Sequence, residues 1–343
     1  MTLDIGKRNI IVIGASAGGV QALTSLFQCL PATLEAAVLV VLHIPAHTRS
    51  ELHHILSSRS PLRVVVAEDG QSLEVNMGYV ASADRHLIVT PNDIVRVTRG
   101  PRECHVRPAI DVLFRSAATV YGSRVIGVIL SGTLDDGTAG LWAVKNRGGM
   151  ALVQEPSDAM YGSMPESAIK HVAVDFVGGI EALAKRIVNL AGEHVDPIEA
   201  DSSKDRAIEN LIAAEGNGIQ AGVMELGLVS KYTCPDCHGV LVQIEEGPIV
   251  RFRCHTGHAF SLKTLASEVN GAIDKGLWDT LRAVEERVML LRQMATLAER
   301  DGDAEAAAEA TRCRRQADDA EVRLKPLREL VLDPNFFGHD PQR

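Results

Sequence analysis

Apolar positions in the first half of the chain come in short, continuous runs. Ile10, Ile11, Val12 and Ile13 form one, and Ala37–Leu42 forms another. Such runs, rich in β-branched side chains and bounded by turn residues, predict strands buried on both faces. After the first run comes a Gly-rich turn. Residues 20–30 then set Val20, Leu23, Leu26, Phe27 and Leu30 at helical spacing, and Pro31 ends the helix. Short strands are predicted at 64–67, 78–81, 87–90 and 94–97, and their turn-rich spacing reads as an antiparallel insertion. A helix at 111–120, a strand at 125–130, a helix at 138–147 and a strand at 151–154 follow. This alternation predicts a doubly wound α/β domain over residues 1–191, with a mostly parallel sheet and right-handed crossovers.

The alternation stops near Ala191. Residues 192–205 are polar, contain Pro197, Ser202 and Ser203, and read as a linker. A small domain with a zinc-ribbon pattern is expected at 206–267, opening with a short helix at 206–214. From Ala272 the pattern is helical: Leu277, Leu281, Val284, Val288, Leu291 and Met294 make one stripe. Asp301-Gly302-Asp303 is the turn of a helical hairpin at 268–332, with a tail at 333–343. The stripe is expected to pack on the Cys/His segment, on a partner helix or on a second copy.

Composition narrows the function. A formal net charge of −9 argues against nucleic acid as the partner. No apolar stretch is long enough to span a membrane and no signal peptide is visible, so a cytoplasmic protein is expected. Of six cysteines, Cys234, Cys237 and Cys254 cluster, while Cys29, Cys104 and Cys313 are scattered, which points to a metal site rather than a disulfide framework.

Ligands of doubly wound sheets meet the loops at the carboxyl ends of strands. Three such ends carry candidate chemistry: Ser16 after the first strand, His43 after the second, and Asp135 and Asp136 after the strand at 125–130. A serine hydroxyl needs a base to take its proton, and an imidazole needs a carboxylate to hold its tautomer. Ser16 also precedes a helix N-terminus, whose free N–H groups suit an oxyanion. The glycines at 14, 18 and 19 do not fit G-x-G-x-x-G, and a Walker lysine is missing. From spacing alone, however, a phosphate cradle, a core histidine and an ordinary Asp-Gly turn remain open.

Four ordered blocks add to this: Ile13-Gly14-Ala15-Ser16-Ala17-Gly18-Gly19, Leu42-His43-Ile44-Pro45, residues 107–118 and residues 130–140. Over residues 8–190 the chain resembles the chemotaxis receptor methylesterase family (CheB type). The resemblance implies hydrolysis of methyl esters on glutamate side chains of chemoreceptors or related signalling proteins, with glutamine deamidation as a second activity and no catalytic cofactor. It implies Ser16 as nucleophile, His43 as base and Asp136 as orienting acid, with Asp135 as the fallback. Ala17 and Thr133 fall near the family's oxyanion hole. The family has Thr where Ala17 stands and Met-Gly where Thr133-Leu134 stand. A match beginning so near Met1 also leads us to expect no receiver domain ahead of it.

Cys234-Pro235-Asp236-Cys237 and Cys254-His255-Thr256-Gly257-His258 have 16 residues between the pairs, a zinc-ribbon spacing. His258 is the expected fourth ligand, with His255 as the alternative. Structural Zn2+ is therefore expected. Arg251 and Arg253 beside it raise a basic, nucleic-acid-binding face as a rival role. The competing reading of the whole chain is a non-catalytic module, its Gly-rich turn holding a nucleotide or anion and its C-terminal parts recruiting partners.

Overall fold

The computed structural model describes residues 3–48, 50–196, 203–333 and 336, with the backbone alone at 301. The expected linker lies partly outside the described residues, as does most of the tail. The elements of the first domain are β1 (Ile10–Ala15), α1 (Gly19–Gln28), β2 (Ala37–Leu42), α2 (Leu52–Arg59), β3 (Arg63–Val66), β4 (Met77–Val80), β5 (His86–Thr90), β6 (Ile94–Thr98), α3 (Ile110–Tyr121), β7 (Val125–Ile129), α4 (Thr138–Asn146), β8 (Met150–Gln154), α5 (Ser163–His171), β9 (Phe176–Gly178) and α6 (Ile180–Leu190).

Seven strands form one sheet in the order β3-β4-β2-β1-β7-β8-β9, every pairing parallel. Alternate side chains of the fully buried strands feed two different cores. Ile10, Val12, Leu39 and Val41 pack with Leu113 and Phe114 of α3 and Leu141 of α4. Ile11, Ile13, Val38 and Val40 pack with Leu23 and Phe27 of α1 and Leu183 and Ile187 of α6. Both faces being covered explains the unbroken apolar runs in the sequence.

The expected antiparallel insertion is corrected. β3 and β4 extend the main sheet in parallel, and only β5 and β6 form an antiparallel pair. A four-residue apolar run has too little pattern to reveal strand direction, which depends on the partner it meets.

The Cys/His segment comprises α7 (Lys204–Glu215), α8 (Gly218–Ala221), β10 (Leu228–Thr233), β11 (Val240–Glu246), β12 (Ile249–Cys254) and β13 (Ala259–Ser261). The four strands form an antiparallel sheet in chain order. Residues up to Leu265 belong to one compact unit with the α/β domain. A fully buried charge cluster joins them: Arg253 donates to Glu103 at 2.6 Å and lies 3.3 Å from Glu209, Arg251 donates to Glu209 at 2.8 Å, and Arg115 of α3 donates to Glu103 at 2.5 Å. The rival reading of a basic face at Arg251 and Arg253 fails, because they are 3% and 0% exposed. Their charges are spent on glutamates that lie far away in the sequence.

The second unit starts at Ala266. α9 (Leu262–Asp301) begins ahead of both the helical pattern at Ala272 and the expected hairpin bound at 268, and α10 (Ala304–Val331) follows the turn, with Asp303 capping Ala306 N at 2.7 Å. Its contact seam is Val288, Leu291, Ala295 and Ala298 against Ala310, Cys313 and Ala317. Small residues let the two helices approach closely, so the buried stripe runs through Ala295, whereas Met294 is exposed. Among the described residues, no helix is long and apolar enough to cross a membrane.

Candidate active site

Three strand ends of the parallel sheet bring the candidate side chains together. β1 hands over to Ser16, whose N–H donates to the Ser131 carbonyl at 2.9 Å, and Gly18 caps α1 with φ +73°. A side chain at Gly18 would meet Ser131 Oγ at 2.7 Å and Met160 Cβ at 2.8 Å, so the turn needs glycine for both conformation and space. β2 hands over to His43, anchored by its N–H to the Ala15 carbonyl at 3.1 Å. The loop after β7 supplies Asp136.

His43 bridges the other two residues. Its Nδ1 lies 3.1 Å from Ser16 Oγ and its Nε2 lies 2.8 Å from Asp136 Oδ2. An ionised carboxylate only accepts hydrogen bonds, so Nε2 carries the proton and Nδ1 presents its lone pair to the serine. Asp136 is buried and is itself fixed by the N-terminus of α3. The N–H of Ile110 donates to its Oδ2 at 2.7 Å and that of Asp111 to its Oδ1 at 3.1 Å. The helix dipole there favours a negative charge. His86, buried, braces the same helix start by accepting from Ala109 N–H at 3.2 Å and donating to the Pro101 carbonyl at 2.8 Å.

Asp135, the fallback acid, points elsewhere. Its Oδ1 accepts from Ser261 Oγ at 2.8 Å and Thr264 Oγ1 at 3.1 Å. Sequence reasoning missed three neighbours of the site. Ser131 Oγ donates to the Ala17 carbonyl at 2.8 Å and accepts from Tyr161 N–H at 3.0 Å, fixing the turn after Ser16. Asp111 lies buried beside Asp136, and burial, aided by the Asp136 charge, pushes its carboxyl up to about 8. The Cys104 thiol shares this pocket and is pushed up, first by burial and then by the surrounding aspartates. Ser131 and Asp111 sit inside the sequence blocks that flag the site, but no spacing rule singles them out.

Gly132 approaches Ser16 so closely that an added Cβ would lie 2.9 Å from Ser16 Cβ, which puts the Gly132–Thr133 segment beside the hydroxyl. Gly132 N–H is committed to the Tyr161 carbonyl, whereas among the described residues the amides of Ala17 and Thr133 donate to no protein group. Leu134 holds φ +63°, a left-handed conformation that glycine adopts without strain. On one side of these three residues, His43, Ile44 and Pro45 face Arg102, His105 and Arg107 across a cavity of about 340 Å³. On the other, a cavity of about 900 Å³ between α1 and α6 reaches Gly18 and Ser131.

The Cys/His residues also converge. Cys234, Cys237, Cys254 and His258 bring their donor atoms within 4.8 Å of one another. The Cys237–Cys254 sulfur separation is 3.6 Å, and His258 Nδ1 lies 3.7 Å from Cys234 Sγ and 3.6 Å from Cys254 Sγ. A tetrahedral zinc with Zn–S of about 2.3 Å and Zn–N of about 2.0 Å has ligand–ligand edges of roughly 3.5–3.8 Å, so the donor set fits. The Thr256 hydroxyl lies against the cluster, 2.9 Å from Cys254 Sγ. The His255 ring packs over Gly239 instead, where an added Cβ would meet it at 2.1 Å.

A serine, a histidine and an aspartate hydrogen-bonded in that order at the carboxyl ends of parallel strands make the arrangement of a serine hydrolase. The chain belongs to the CheB methylesterase family, whose model matches residues 11–187. It is 37% identical over 180 residues to a Leptospira interrogans protein named for protein-glutamate methylesterase and protein-glutamine glutaminase activities, a match covering 52% of this chain and 93% of that one. It is 36% identical over 190 residues to protein-glutamate methylesterase/protein-glutamine glutaminase 2 of Methanosarcina mazei, covering 53% of this chain and 52% of that protein. The Thermotoga maritima CheB methylesterase catalytic domain superposes with a TM-score of 0.51 at 33% identity, covering 53% of this chain and 98% of that one.

Proposed function

We propose that the protein is a protein-glutamate methylesterase that removes methyl esters from glutamate side chains of chemoreceptors or related signalling proteins, and deamidates glutamine by the same route. The observation that carries this reading is the continuous link Ser16–His43–Asp136. His43 Nδ1 takes the hydroxyl proton as Ser16 Oγ attacks the ester carbonyl carbon. The amides of Ala17 and Thr133 stabilise the oxyanion. The tetrahedral intermediate collapses as His43 returns the proton to the departing methoxide, which leaves as methanol. Water, deprotonated by His43, then attacks the acyl-enzyme carbonyl, and His43 returns the proton to Ser16 Oγ as the intermediate collapses and glutamate is released. Asp136 keeps the imidazole oriented and stabilises it while protonated.

The test is methanol release from a methylated chemoreceptor fragment. Wild type is expected to release methanol, and Ser16→Ala and His43→Ala to fall by orders of magnitude. No release by wild type overturns the substrate assignment, and failure of a serine-directed phosphonate to label Ser16 overturns the nucleophile.

Cys234, Cys237, Cys254 and His258 would hold a structural zinc, closing the sheet β10–β13 with no open position for catalysis. Purified protein is expected to carry zinc by elemental analysis, and Cys254→Ser to lose it.

A further inference from the structure

We infer that the Cys/His segment is part of the active-site scaffold, with Ser261 and Thr264 acting as positioning residues that fix the acid loop through Asp135. This rests on the catalytic reading of Ser16, His43 and Asp136.

The acid loop is held between two grips. Asp136 faces inward, to His43 and the start of α3. Its neighbour Asp135 faces the other way, and its Oδ1 takes both hydroxyls, from Ser261 at 2.8 Å and Thr264 at 3.1 Å. Ser261 is itself pinned, because its Oγ accepts the Thr264 N–H at 2.9 Å as the cap of α9. Thr264 is fully buried. Between Gly132 and Asp135 the loop passes through Leu134 at φ +63°. A strained conformation of this kind persists only where its surroundings over-determine it, and the grip on Asp135 is one of the two that do so. Moving Asp135 moves the carboxylate next to it, on which the His43 ring orientation depends.

The segment grips the opposite wall of the site as well. Cys104 N–H donates to the Ala259 carbonyl at 2.7 Å, and Ala259 N–H to the Arg102 carbonyl at 3.2 Å, so β13 pairs with the loop that faces His43 across its cavity. On the extension's side the partners are Ser261, Thr264 and Ala259, which lie beyond residue 187, outside the stretch matched by the family model. The brace is therefore an addition to the family's domain, made by this chain's own extension.

The experiment uses the full chain with Ser261→Ala/Thr264→Val, and separately Asp135→Asn, which keeps the side-chain volume. The readouts are the rate of Ser16 labelling by a fluorophosphonate, kcat and KM for methanol release from the methylated receptor fragment, and the urea midpoint. We expect labelling and kcat to fall together by roughly tenfold to a hundredfold, the cost of a small misplacement of catalytic groups. KM is expected to stay within about twofold, since Asp135, Ser261 and Thr264 bond one another and not Ser16 or His43. Ser261→Thr and Thr264→Ser are expected to restore the rate. Folded variants that label and turn over within about twofold of wild type, while Asp136→Asn does not, overturn the inference and leave the catalytic reading standing. If the double variant fails to fold, Asp135→Asn decides by the same criterion. A wild type that resists labelling overturns the catalytic reading and the inference with it.

Discussion

Replacing Glu209 by glutamine keeps the side-chain volume and removes one negative charge from the cluster between α3, α7 and β12. Around Glu209, Arg251 lies at 2.8 Å, Arg206 at 3.2 Å, Arg253 at 3.3 Å and Arg115 at 3.6 Å. Burial pushes its carboxyl up, but Arg251, Arg115 and Arg253 outweigh burial and hold it well below the carboxylate range. With Glu209 neutral, these four arginines lose the carboxylate they hold in common, while Glu103 still pairs with Arg115 and Arg253 and Glu246 with Arg206 and Arg251. Breaking a buried pair on one side costs about 3–5 kcal/mol, because the remaining charge stays desolvated. With a urea m-value of about 3 kcal/mol/M for a unit of this size, the midpoint should fall by roughly 1–1.7 M. Trp142 fluorescence in a Trp278→Phe background reports on the correct unit, since Trp142 packs on the β11–β12 turn, where a side chain at Gly247 would meet its ring at 2.8 Å. Glu35→Gln, which breaks the exposed 2.9 Å pair with Lys7, is the control and should shift the midpoint far less. If Glu209→Gln shifts it no more than the control, the cluster does not hold the extension to the α/β domain.

Acid should act on the same cluster. Burial raises the Glu103 carboxyl, but Arg115 and Arg253 bring it down to about 2. Its stabilisation is therefore complete above the ordinary glutamate value of about 4.3 and is lost as pH falls through about 2. Glu103→Gln should flatten the acid limb of the Trp142 midpoint against pH. Asp111 has the opposite sign. Between about 4 and about 8 the unfolded chain has released a proton that folded Asp111 retains, so stability falls as pH rises across that window. Asp111→Asn, which can still accept from Gly140 N–H, should remove that fall, seen as the difference between midpoints at the two ends of the window. Gly132→Ala would push a Cβ to 2.9 Å from Ser16 Cβ and 2.5 Å from Met164 Cε. Phosphonate labelling of Ser16 should slow by about a hundredfold.

Much of the site was legible in the chain itself. Ile10–Ala15 and Ala37–Leu42 are apolar on successive residues because both sheet faces are covered, and that pattern alone places Ser16 and His43 at strand ends. The cysteine and histidine spacing likewise found the four converging donors, because these ligands come from two local turns. Tertiary structure decided what depends on distant partners. β3 and β4 became parallel strands by meeting β2, not by any feature of their own four residues. Asp135 and Asp136 are chemically identical in sequence. One faces His43 and the other Ser261 because the loop lies between α3 and the extension. Sequence left a basic surface at Arg251 and Arg253 open as a rival role, and the pairs with Glu209 and Glu103 close it. A local pattern fixes periodicity and turn chemistry, whereas the environment of a charge is set by whatever the fold brings against it from elsewhere in the chain.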